Sequence, residues 1–488
     1  EGRMGYISGE GRGQATLFPA SLDEYISADN PVRFIDGFVS GLNLRELKFV
    51  RAEAAATGRP GYEPGDLLRL YIYGYLNRVR SSRRLESEAN RNVEVMWLLH
   101  KLTPDFKTIA DFRAHNPQPL TAVCKQFVAL CRELELFGGE LVAVDGSKFR
   151  ASNSRNRVFT AHDLRKRLER LEQKIREYLA ELDQNDRAEE SAAWSPRLSP
   201  EEMRAKLAQL QQRRDRYQAL EKKLEQQEAT QVALTDPDAR LMHQSSARGG
   251  GSVVAYNVQS VVDAKHKLIV AYDVTSDGSD QQQLARMAVQ AKQALGVEHL
   301  EVVADQGFYD GGEVAACEQA GVAAYIAKPR TSKNLKRGLF TKQDFVYDPP
   351  GDRYRCPGAQ WLEYRGTQTD GGRKVKYYTT DACASCELRP RCTEAKGPRR
   401  IKRLVNDEEA LERMAARVAA QPDKLAQRKA LIEHPFGTLK RSWNHAYFLL
   451  RTLPKVTTEF SLSVPTYNLR RALNILGPAR MMAGLARC

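Results

Sequence analysis

The chain has 488 residues, of which 42% are hydrophobic, so it can bury a sizeable core, and its length predicts about three domains. It has no long uncharged apolar segment, which excludes a membrane-spanning helix. Residues 1–20 are glycine-rich and charged and lack the apolar core of a signal peptide, so we expect a cytoplasmic protein.

The charge of the chain indicates what kind of partner it binds, and its cysteine content indicates whether its cellular compartment is reducing. Lysine and arginine number 75 against 61 acidic residues, which gives a net charge of +14. This basic excess favours a polyanionic partner, most simply nucleic acid, although an ordinary basic enzyme has the same balance. The eight cysteines are few for this length, and four lie close together in sequence, which indicates metal binding in a reducing compartment.

Residues 20–136 are predicted to be helical. Residues 64–76 carry apolar side chains at helical spacing, and the next helix begins at a serine pair and carries Arg83 and Arg84. Short helices with arginines in their connections fit a helix-turn-helix-like DNA-binding unit. They fit a plain helical bundle with solvated arginines equally well.

Two apolar segments that each end in an aspartate form the most informative pattern in the chain. Residues 141–149 run through four apolar positions into Asp145 and a glycine, which predicts a short buried strand with the acid at its end. An Asp-Gly turn is the alternative. Residues 299–305 repeat the pattern and end at Asp305. Two strand-end acids in one sheet indicate a metal site.

An inserted helical hairpin is predicted at about residues 160–231. Leu164, Leu168, Leu171 and Ile175 follow one another at steps of four, three and four, as in a heptad seam. The role of the hairpin stays open between an arm for dimerisation or DNA contact and a purely structural element.

The remaining α/β pattern predicts the fold. After the first strand we expect strands at 253–262 and 267–274, a helix at 280–294, the strand that ends at Asp305, a helix at 312–320 and a strand at 322–327. Three leading antiparallel strands followed by crossovers to parallel ones is the order of a ribonuclease-H-like α/β fold.

A second insertion holds the clustered cysteines, which are Cys356, Cys383, Cys386 and Cys392. Four thiolates can hold a structural Zn²⁺ tetrahedrally, and the Cys-x-x-Cys pair offers two ligands from one turn. Four reduced and buried cysteines are the alternative.

A third acid completes the candidate site. Residues 406–476 are predicted to be helical, and Glu433 lies there among apolar neighbours, although a surface glutamate is the default interpretation. Three carboxylates can hold two Mg²⁺ ions for phosphodiester displacement. In this hypothesis Asp145 bridges both ions, Asp305 binds one and Glu433 binds the other.

Three motifs together resemble those of a known family. Asp145-Gly-Ser, Ala304-Asp-Gln-Gly-Phe-Tyr309 and Glu433-His-Pro-Phe-Gly-Thr-Leu-Lys440 look like the acidic motifs of bacterial insertion-sequence DDE transposases. The nearest branch is the insertion-sequence-four superfamily, of the eleven-eighty-two type. The resemblance extends over nearly the whole chain, including the helical N-terminal region and the cysteine-rich insertion.

The resemblance implies a catalytic triad of Asp145, Asp305 and Glu433 that uses two Mg²⁺ ions, with Mn²⁺ as a substitute. Lys440 matches the lysine of the family's Tyr–Arg–Glu–Lys signature, and Arg428 is the candidate for its arginine, one residue earlier than the signature places it. Both would contact DNA. In family members that form hairpin ends an aromatic residue holds a flipped base, and Trp443 or Tyr447 is the candidate, with a core position as the alternative.

The resemblance also implies partners. Such an enzyme binds double-stranded DNA at terminal inverted repeats, cuts there and joins the 3′-OH ends to target DNA, usually as a homodimer on paired ends. It would be associated with the nucleoid and have no membrane contact. Two alternatives remain: a nuclease of the same fold without strand transfer, and a silent transposase-derived DNA-binding protein.

The motifs divide the chain as follows: a helical DNA-binding and dimerisation domain (1–136), the first part of the ribonuclease-H-like core (137–152), the inserted hairpin (153–248), the middle of the core (249–330), the cysteine-rich insertion (331–405) and C-terminal helices that complete the core (406–488).

Overall fold

The computed structural model describes residues 21–53, 60–188, 200–226, 230–244, 251–329 and 333–485. The chain divides into two compact units, Glu1–Leu130 with Ser461–Cys488 and Cys131–Phe460. The segment 406–488, which is predicted to complete the core, is divided between the two units after Phe460. No helix in these described ranges is both long and apolar enough to cross a membrane.

The first unit is helical, as predicted. Its helices are α1 (Pro31–Ser40), α2 (Pro64–Leu76), α3 (Ser82–Arg91), α4 (Val93–Leu98), α5 (Phe106–His115) and α6 (Pro117–Glu133), whose last residues enter the second unit. Every residue of α2 is buried, as expected of a helix that is largely apolar on all sides. Its buried Arg69 is compensated by Asp36, at 2.8 Å from Nε, and by Asp66, at 3.2 Å from Nη1.

Side-chain caps determine where two of these helices begin. The Asn30 side chain accepts a hydrogen bond from the Val32 amide, and Pro31 occupies the first helical position, where its missing N–H costs nothing. The Asp105 carboxylate caps α5 by accepting from the amides of Lys107 and Thr108. These caps can be predicted from sequence because the bonding partners are only two or three residues away.

Among the described residues, the second unit contains a six-stranded mixed sheet, a five-stranded antiparallel sheet, a two-stranded ladder and a helical insertion. Its strands are β1 (Leu141–Arg150), β2 (Val158–Thr160), β3 (Gln231–Ala233), β4 (Arg240–Gln244), β5 (Gly251–Asp263), β6 (Ile269–Thr275), β7 (Leu300–Ala304), β8 (Val322–Ile326), β9 (Val346–Asp348), β10 (Arg353–Arg355), β11 (Trp361–Asp370), β12 (Arg373–Thr379) and β13 (Ile401–Leu404). Its helices are α7 (Ala161–Ala188), α8 (Pro200–Gln226), α9 (Leu284–Leu295), α10 (Gly311–Gln319), α11 (Lys333–Lys336), α12 (Arg389–Cys392), α13 (Glu408–Ala420) and α14 (Asp423–Gly437), followed by α15 (Leu453–Leu485), which continues into the first unit.

The predicted mixed sheet is confirmed. Its main path runs β6–β5–β1–β7–β8, in which β5 is antiparallel to β6 and β1, and β1, β7 and β8 are parallel. The fully buried residues Val142, Ala143 and Val144 place β1 at the centre of this layer. The sequence patterns missed β4, which pairs antiparallel with the first residues of β5.

Asp145 lies in the middle of β1, and the prediction that it ends the strand is wrong. The ladder with β5 continues to Arg150, so the Asp-Gly turn is also excluded. The parallel ladder with β7, however, stops at the pair Val144–Ala304. Asp145 is therefore the first residue beyond the parallel pairing, where the two strands separate, and the acid is placed as a strand-end residue would be.

The inserted hairpin consists of α7 and α8, closed at its base by the short β2–β3 ladder. Leu164, Leu168 and Leu171 of the predicted seam pack with Tyr217 and Leu224 in one core cluster. The heptad seam is thus buried within the hairpin itself. The connection predicted at 189–198 lies outside the described residues.

The cysteine-rich segment forms a separate antiparallel sheet in the order β13–β12–β11–β10–β9. Its core is small and aromatic: Tyr354 and Tyr378 are buried with ring centroids 5.1 Å apart, and Phe345, Leu362 and Ile401 pack around them. Most of β11 is exposed. This sheet therefore has much less apolar burial than the mixed sheet.

Helix α14 carries the last part of the candidate site across the mixed sheet, packing against β1 and β7. Pro435 lies inside α14, where it removes one backbone hydrogen bond, and a π-helical turn follows at Thr438–Ser442. The helix therefore ends in a widened turn shortly after this proline.

Candidate active site

Asp145 is a half-buried carboxylate at the centre of the site. Its side chain is 25% exposed, and its Oδ1 accepts a hydrogen bond from the Gly146 amide at 2.8 Å. Burial raises the pKa of Asp145 to about 6, against the opposing effect of Arg428. The positive charge of Arg428 therefore favours the ionised form of this carboxyl.

Arg428 connects the two strand-end acids. Its Nη1 lies 3.3 Å from Oδ2 of Asp145, and its Nη2 lies 3.5 Å from Oδ1 of Asp305. Asp305 directly follows β7 and precedes a short 3-10 turn, with half of its side chain exposed. The structure thus brings Asp145 and Asp305 together around one guanidinium group.

Glu433 lies on the same helix as Arg428 but is differently placed. Its side chain is 68% exposed, and its ion-pair partner is Lys429, one turn earlier, at 3.8 Å. The default interpretation of a surface glutamate therefore describes its present position. Glu433 nevertheless lies on α14, the helix that packs against β1 and β7 and brings Arg428 to the two aspartates.

Asp280 is a further acid of the site that the sequence patterns missed. It lies in the loop between β6 and α9, and it is one of the charges that raise the pKa of Asp145. Asn257 and Gln259, both fully buried on β5, donate hydrogen bonds to its Oδ1 at 2.7 and 2.6 Å. Two amides in an otherwise apolar strand are the signal that could have indicated a buried polar partner.

Lys440 faces into the protein. Its Nζ donates to Ser147 Oγ at 2.5 Å and to the Lys148 carbonyl at 2.7 Å, and it stands 4.5 Å from the centre of the Phe149 ring. Burial lowers the pKa of Lys440 to about 8. The predicted phosphate ligand is therefore bonded to the strand that carries Asp145.

The two aromatic candidates for holding a base differ in exposure. Trp443 is 6% exposed and packs edge-to-face with His445, so its position is that of a core aromatic. Tyr447 is half-buried and forms an isolated bridge with Arg150 at the end of β1. The structure does not present the Trp443 ring to a base.

The donor set suits a hard cation, although no group of three or more His, Cys, Asp or Glu side chains in the described ranges is arranged to hold a metal ion. Asp145 and Asp305 offer carboxylate oxygens, the ligands that Mg²⁺ prefers. The guanidinium of Arg428 already places a positive charge between them. A divalent cation would likewise compensate the negative charge of the two carboxylates.

The four clustered cysteines line one small cavity of about 30 Å³ in the segment that forms the five-stranded antiparallel sheet. A Cβ atom on Gly358 would stand 3.6 Å from Cys386 Sγ and 3.7 Å from Cys356 Sγ, so these two thiols flank the same point. Burial raises the pKa of Cys392, and the neighbouring thiols raise it further. Four soft donors around one cavity fit Zn²⁺ chemically.

Arg83 and Arg84 are exposed on α3 of the first unit. The Arg83 guanidinium lies 5.0 Å from the centre of the Phe106 ring. Both side chains are therefore accessible, as a phosphate contact requires.

Comparison with known proteins identifies two segments. Residues 20–115 match the family model described as a transposase domain (DUF772), and residues 355–473 match a model described as a transposase DDE domain. The second match includes the four cysteines, Arg428, Glu433 and Lys440, whereas Asp145 and Asp305 precede it. No curated protein shows significant sequence similarity to the chain.

One solved structure is similar over much of the chain: the piggyBac transposase synaptic complex with hairpin DNA. The sequence identity is 8%, and the match covers 94% of this chain and 80% of the other, with a TM-score of 0.33. A TM-score this low does not establish a shared fold.

Proposed function

From two segments that match transposase models and support a DDE transposase, we propose that this protein binds terminal inverted repeats, cuts DNA there and transfers the strands to target DNA. The observation that carries the proposal is the convergence of Asp145 and Asp305 on Arg428, at the end of the parallel part of the mixed sheet. The nearest family branch in this proposal is the insertion-sequence-four superfamily.

The strand order of the mixed sheet supports a ribonuclease-H-like core. The path β6–β5–β1–β7–β8 takes these five strands in the chain order three, two, one, four, five. Only β5 is antiparallel to its neighbours on this path. This arrangement puts the residues that follow β7 beside the middle of β1. The inserted hairpin and the cysteine-rich sheet are additions to that core.

The chemistry in this proposal depends on carboxylates that hold divalent cations. Two Mg²⁺ ions would supply an activated nucleophile and a stabilised leaving oxygen. Asp145 and Asp305 would bind them as the central ligands, and Glu433 would contribute the third carboxylate from α14. Arg428 forms an ion pair with each aspartate and would hold them close together until a cation and a DNA phosphate reach the site.

Other residues would position the strand and the DNA. Lys440 holds β1 through Ser147 Oγ and the Lys148 carbonyl, which stabilises the segment next to Asp145. Arg83 and Arg84 would contact phosphates from the first unit. The four cysteines would bind a structural Zn²⁺, and the protein would act as a homodimer on paired DNA ends in the nucleoid.

Cleavage of labelled DNA that carries the element's terminal inverted repeat tests this function. With Mg²⁺, we expect the wild type to cut at the element boundary and join the ends to a target plasmid. Asp145→Asn and Glu433→Gln should bind the same DNA without cutting it, because each loses a carboxylate ligand. Glu409→Gln is the matched control, since Glu409 is an exposed acid on α13 away from the site.

The products separate the alternatives. Cleavage without joining would indicate a nuclease of the same fold, and binding without cleavage by the wild type would indicate a silent DNA-binding protein. A Glu433→Gln variant that cuts and joins normally would remove Glu433 from the triad. An Asp145→Asn variant that still cuts would overturn the proposed site as a whole.

A further inference from the structure

Asp280 is held against β1 by a buried polar network. Its Oδ1 accepts from Asn257 Nδ2 and Gln259 Nε2, and the Lys148 ammonium lies 3.7 Å from the same oxygen. Asn257 and Gln259 are fully buried, and their pairing with Lys148 and Gly146 places all four on one face of the sheet. One carboxylate oxygen is thus fixed by two amides and a cation.

Several buried polar atoms of this network lack a hydrogen-bond partner within the described part of the chain. Among the described residues, Asn257 Oδ1, Gln259 Oε1 and Lys148 Nζ are buried and have no hydrogen-bond partner. Asn257 Oδ1 lies 3.0 Å from the point where a Cβ of Gly146 would stand, so it faces the space between Asp280 and β1. Unsatisfied buried groups are costly, and an ordered ligand or its hydration shell commonly satisfies them.

Gly146 leaves the space that Asp280 uses. A Cβ at this position would collide with Oδ1 of Asp280 and would stand 2.5 Å from Gln259 Nε2. Because Gly146 has no side chain, the Asp280 carboxylate can approach β1 directly beside Asp145.

The other oxygen of Asp280 lies near the turn that follows Asp305. Oδ2 lies 4.0 Å from the Cβ position of Gly307, two residues after Asp305. No described residue donates a hydrogen bond to Oδ2, and 24% of the side chain is exposed. This oxygen is therefore anchored through its partner oxygen and open toward the space beside Asp305.

We propose that Asp280 is a fourth carboxylate of the divalent-cation site, offering Oδ2 as a ligand beside Asp145 and Asp305. The inference rests on the proposed function, because it assumes that the site binds such a cation. Asn257 and Gln259 position this ligand, and Lys148 compensates part of its charge. The site then draws its acids from β1, the β6–α9 loop and the end of β7.

Binding of Mn²⁺ to the DNA-free protein, followed by electron paramagnetic resonance, tests this assignment. Asp280→Asn keeps an oxygen for Asn257 and Gln259 but removes the carboxylate. We expect its Mn²⁺ affinity to fall by about 10- to 100-fold, as seen when supporting groups of metal sites are lost, and cleavage to be lost with it. Asp277→Asn removes an acid from the same loop and should bind Mn²⁺ and cut like the wild type.

The outcomes separate this inference from the proposed function. If the wild type cuts DNA and Asp280→Asn matches it in Mn²⁺ affinity and cleavage, the fourth ligand is excluded and the transposase assignment stands. If the wild type neither binds Mn²⁺ nor cuts, both fail. Should Asp280→Asn not fold, anomalous scattering from Mn²⁺ in wild-type crystals decides: an ion coordinated by Asp280 supports the assignment, and one bound without it overturns it.

Discussion

The mixed sheet and the five-stranded antiparallel sheet of the second unit place their candidate metal ligands in opposite settings. In the mixed sheet the strands are apolar and fully buried next to the acids, and the carboxylates are held by a guanidinium, two amides and an ammonium group. In the antiparallel sheet the strands are largely exposed, and the thiols line a small cavity at its edge. We therefore expect the mixed sheet to fold without a metal, and a metal at the thiols to stabilise the antiparallel sheet.

This difference predicts a different role for a metal at each of the two sites. A cation at the acids would serve chemistry, because Arg428 already compensates the charge of Asp145 and Asp305. A cation at the thiols would serve stability, because the aromatic core around Tyr378 is small. Each prediction below would sharpen or contradict this contrast.

The largest expected effect is on the stability of the antiparallel sheet. Cys386→Ser should lose bound zinc and unfold this sheet, since a structural zinc site contributes on the order of 10 kcal/mol. Elemental analysis and near-ultraviolet circular dichroism measure both changes. Ser385→Ala, within the same Cys-x-x-Cys segment, should retain the metal. A wild-type protein that contains no zinc and is indifferent to chelators would contradict the contrast.

A matched pair of glycine substitutions compares the two sites directly. Gly146→Ala should reduce DNA cleavage about 100-fold, because the new methyl group displaces Asp280 and a shift of about 1 Å suffices for such a loss. Gly358→Ala places its methyl group at ordinary contact distance from the thiols and should retain zinc and activity. Cleavage rates and zinc content are the measurements, and equal cleavage rates in both variants would remove the packing argument.

Acid should weaken the antiparallel sheet through Asp352. Burial acts to raise the pKa of this carboxyl, but hydrogen bonds from Tyr347, Tyr378 and Lys376 outweigh it and lower the pKa to about 2. The stabilisation is therefore complete above the unfolded-state pKa of 3.8 and is lost as the pH falls toward 2. Asp352→Asn should lack this slope in unfolding measured between pH 5 and 2. An unchanged slope would show that other acids produce it.

The smallest effect is expected for one hydroxyl group in that network. Tyr378→Phe removes the donor that bonds Asp352 Oδ1 at 2.6 Å and leaves the ring in place, so it should cost about 1 kcal/mol. Tyr377→Phe, at a half-buried position next to it, should cost less. Denaturant unfolding of the zinc-loaded protein measures the difference. If Tyr378→Phe lowered the free energy of unfolding by more than zinc loss does, the aromatic core and not the metal would be the main source of the sheet's stability.

Much of the fold could be predicted from local patterns. The apolar runs before Asp145 and Asp305, the heptad leucines of α7 and the caps of α1 and α5 act through residues that are near one another in sequence. The pairing of β4 with β5 and the length of β1 could not be predicted, because both depend on a ladder between segments far apart in the chain.

The candidate site divides in the same way. By itself the sequence determined which residue types stand at the strand ends and which cysteines cluster, because spacing and residue chemistry suffice for that. Only the tertiary structure decided that Arg428 bridges the aspartates, that Lys440 and Trp443 face inward and that Asp280 joins the site. The physical reason is that burial and charge pairing arise between distant segments when the helices pack onto the sheet, and no local pattern records those contacts.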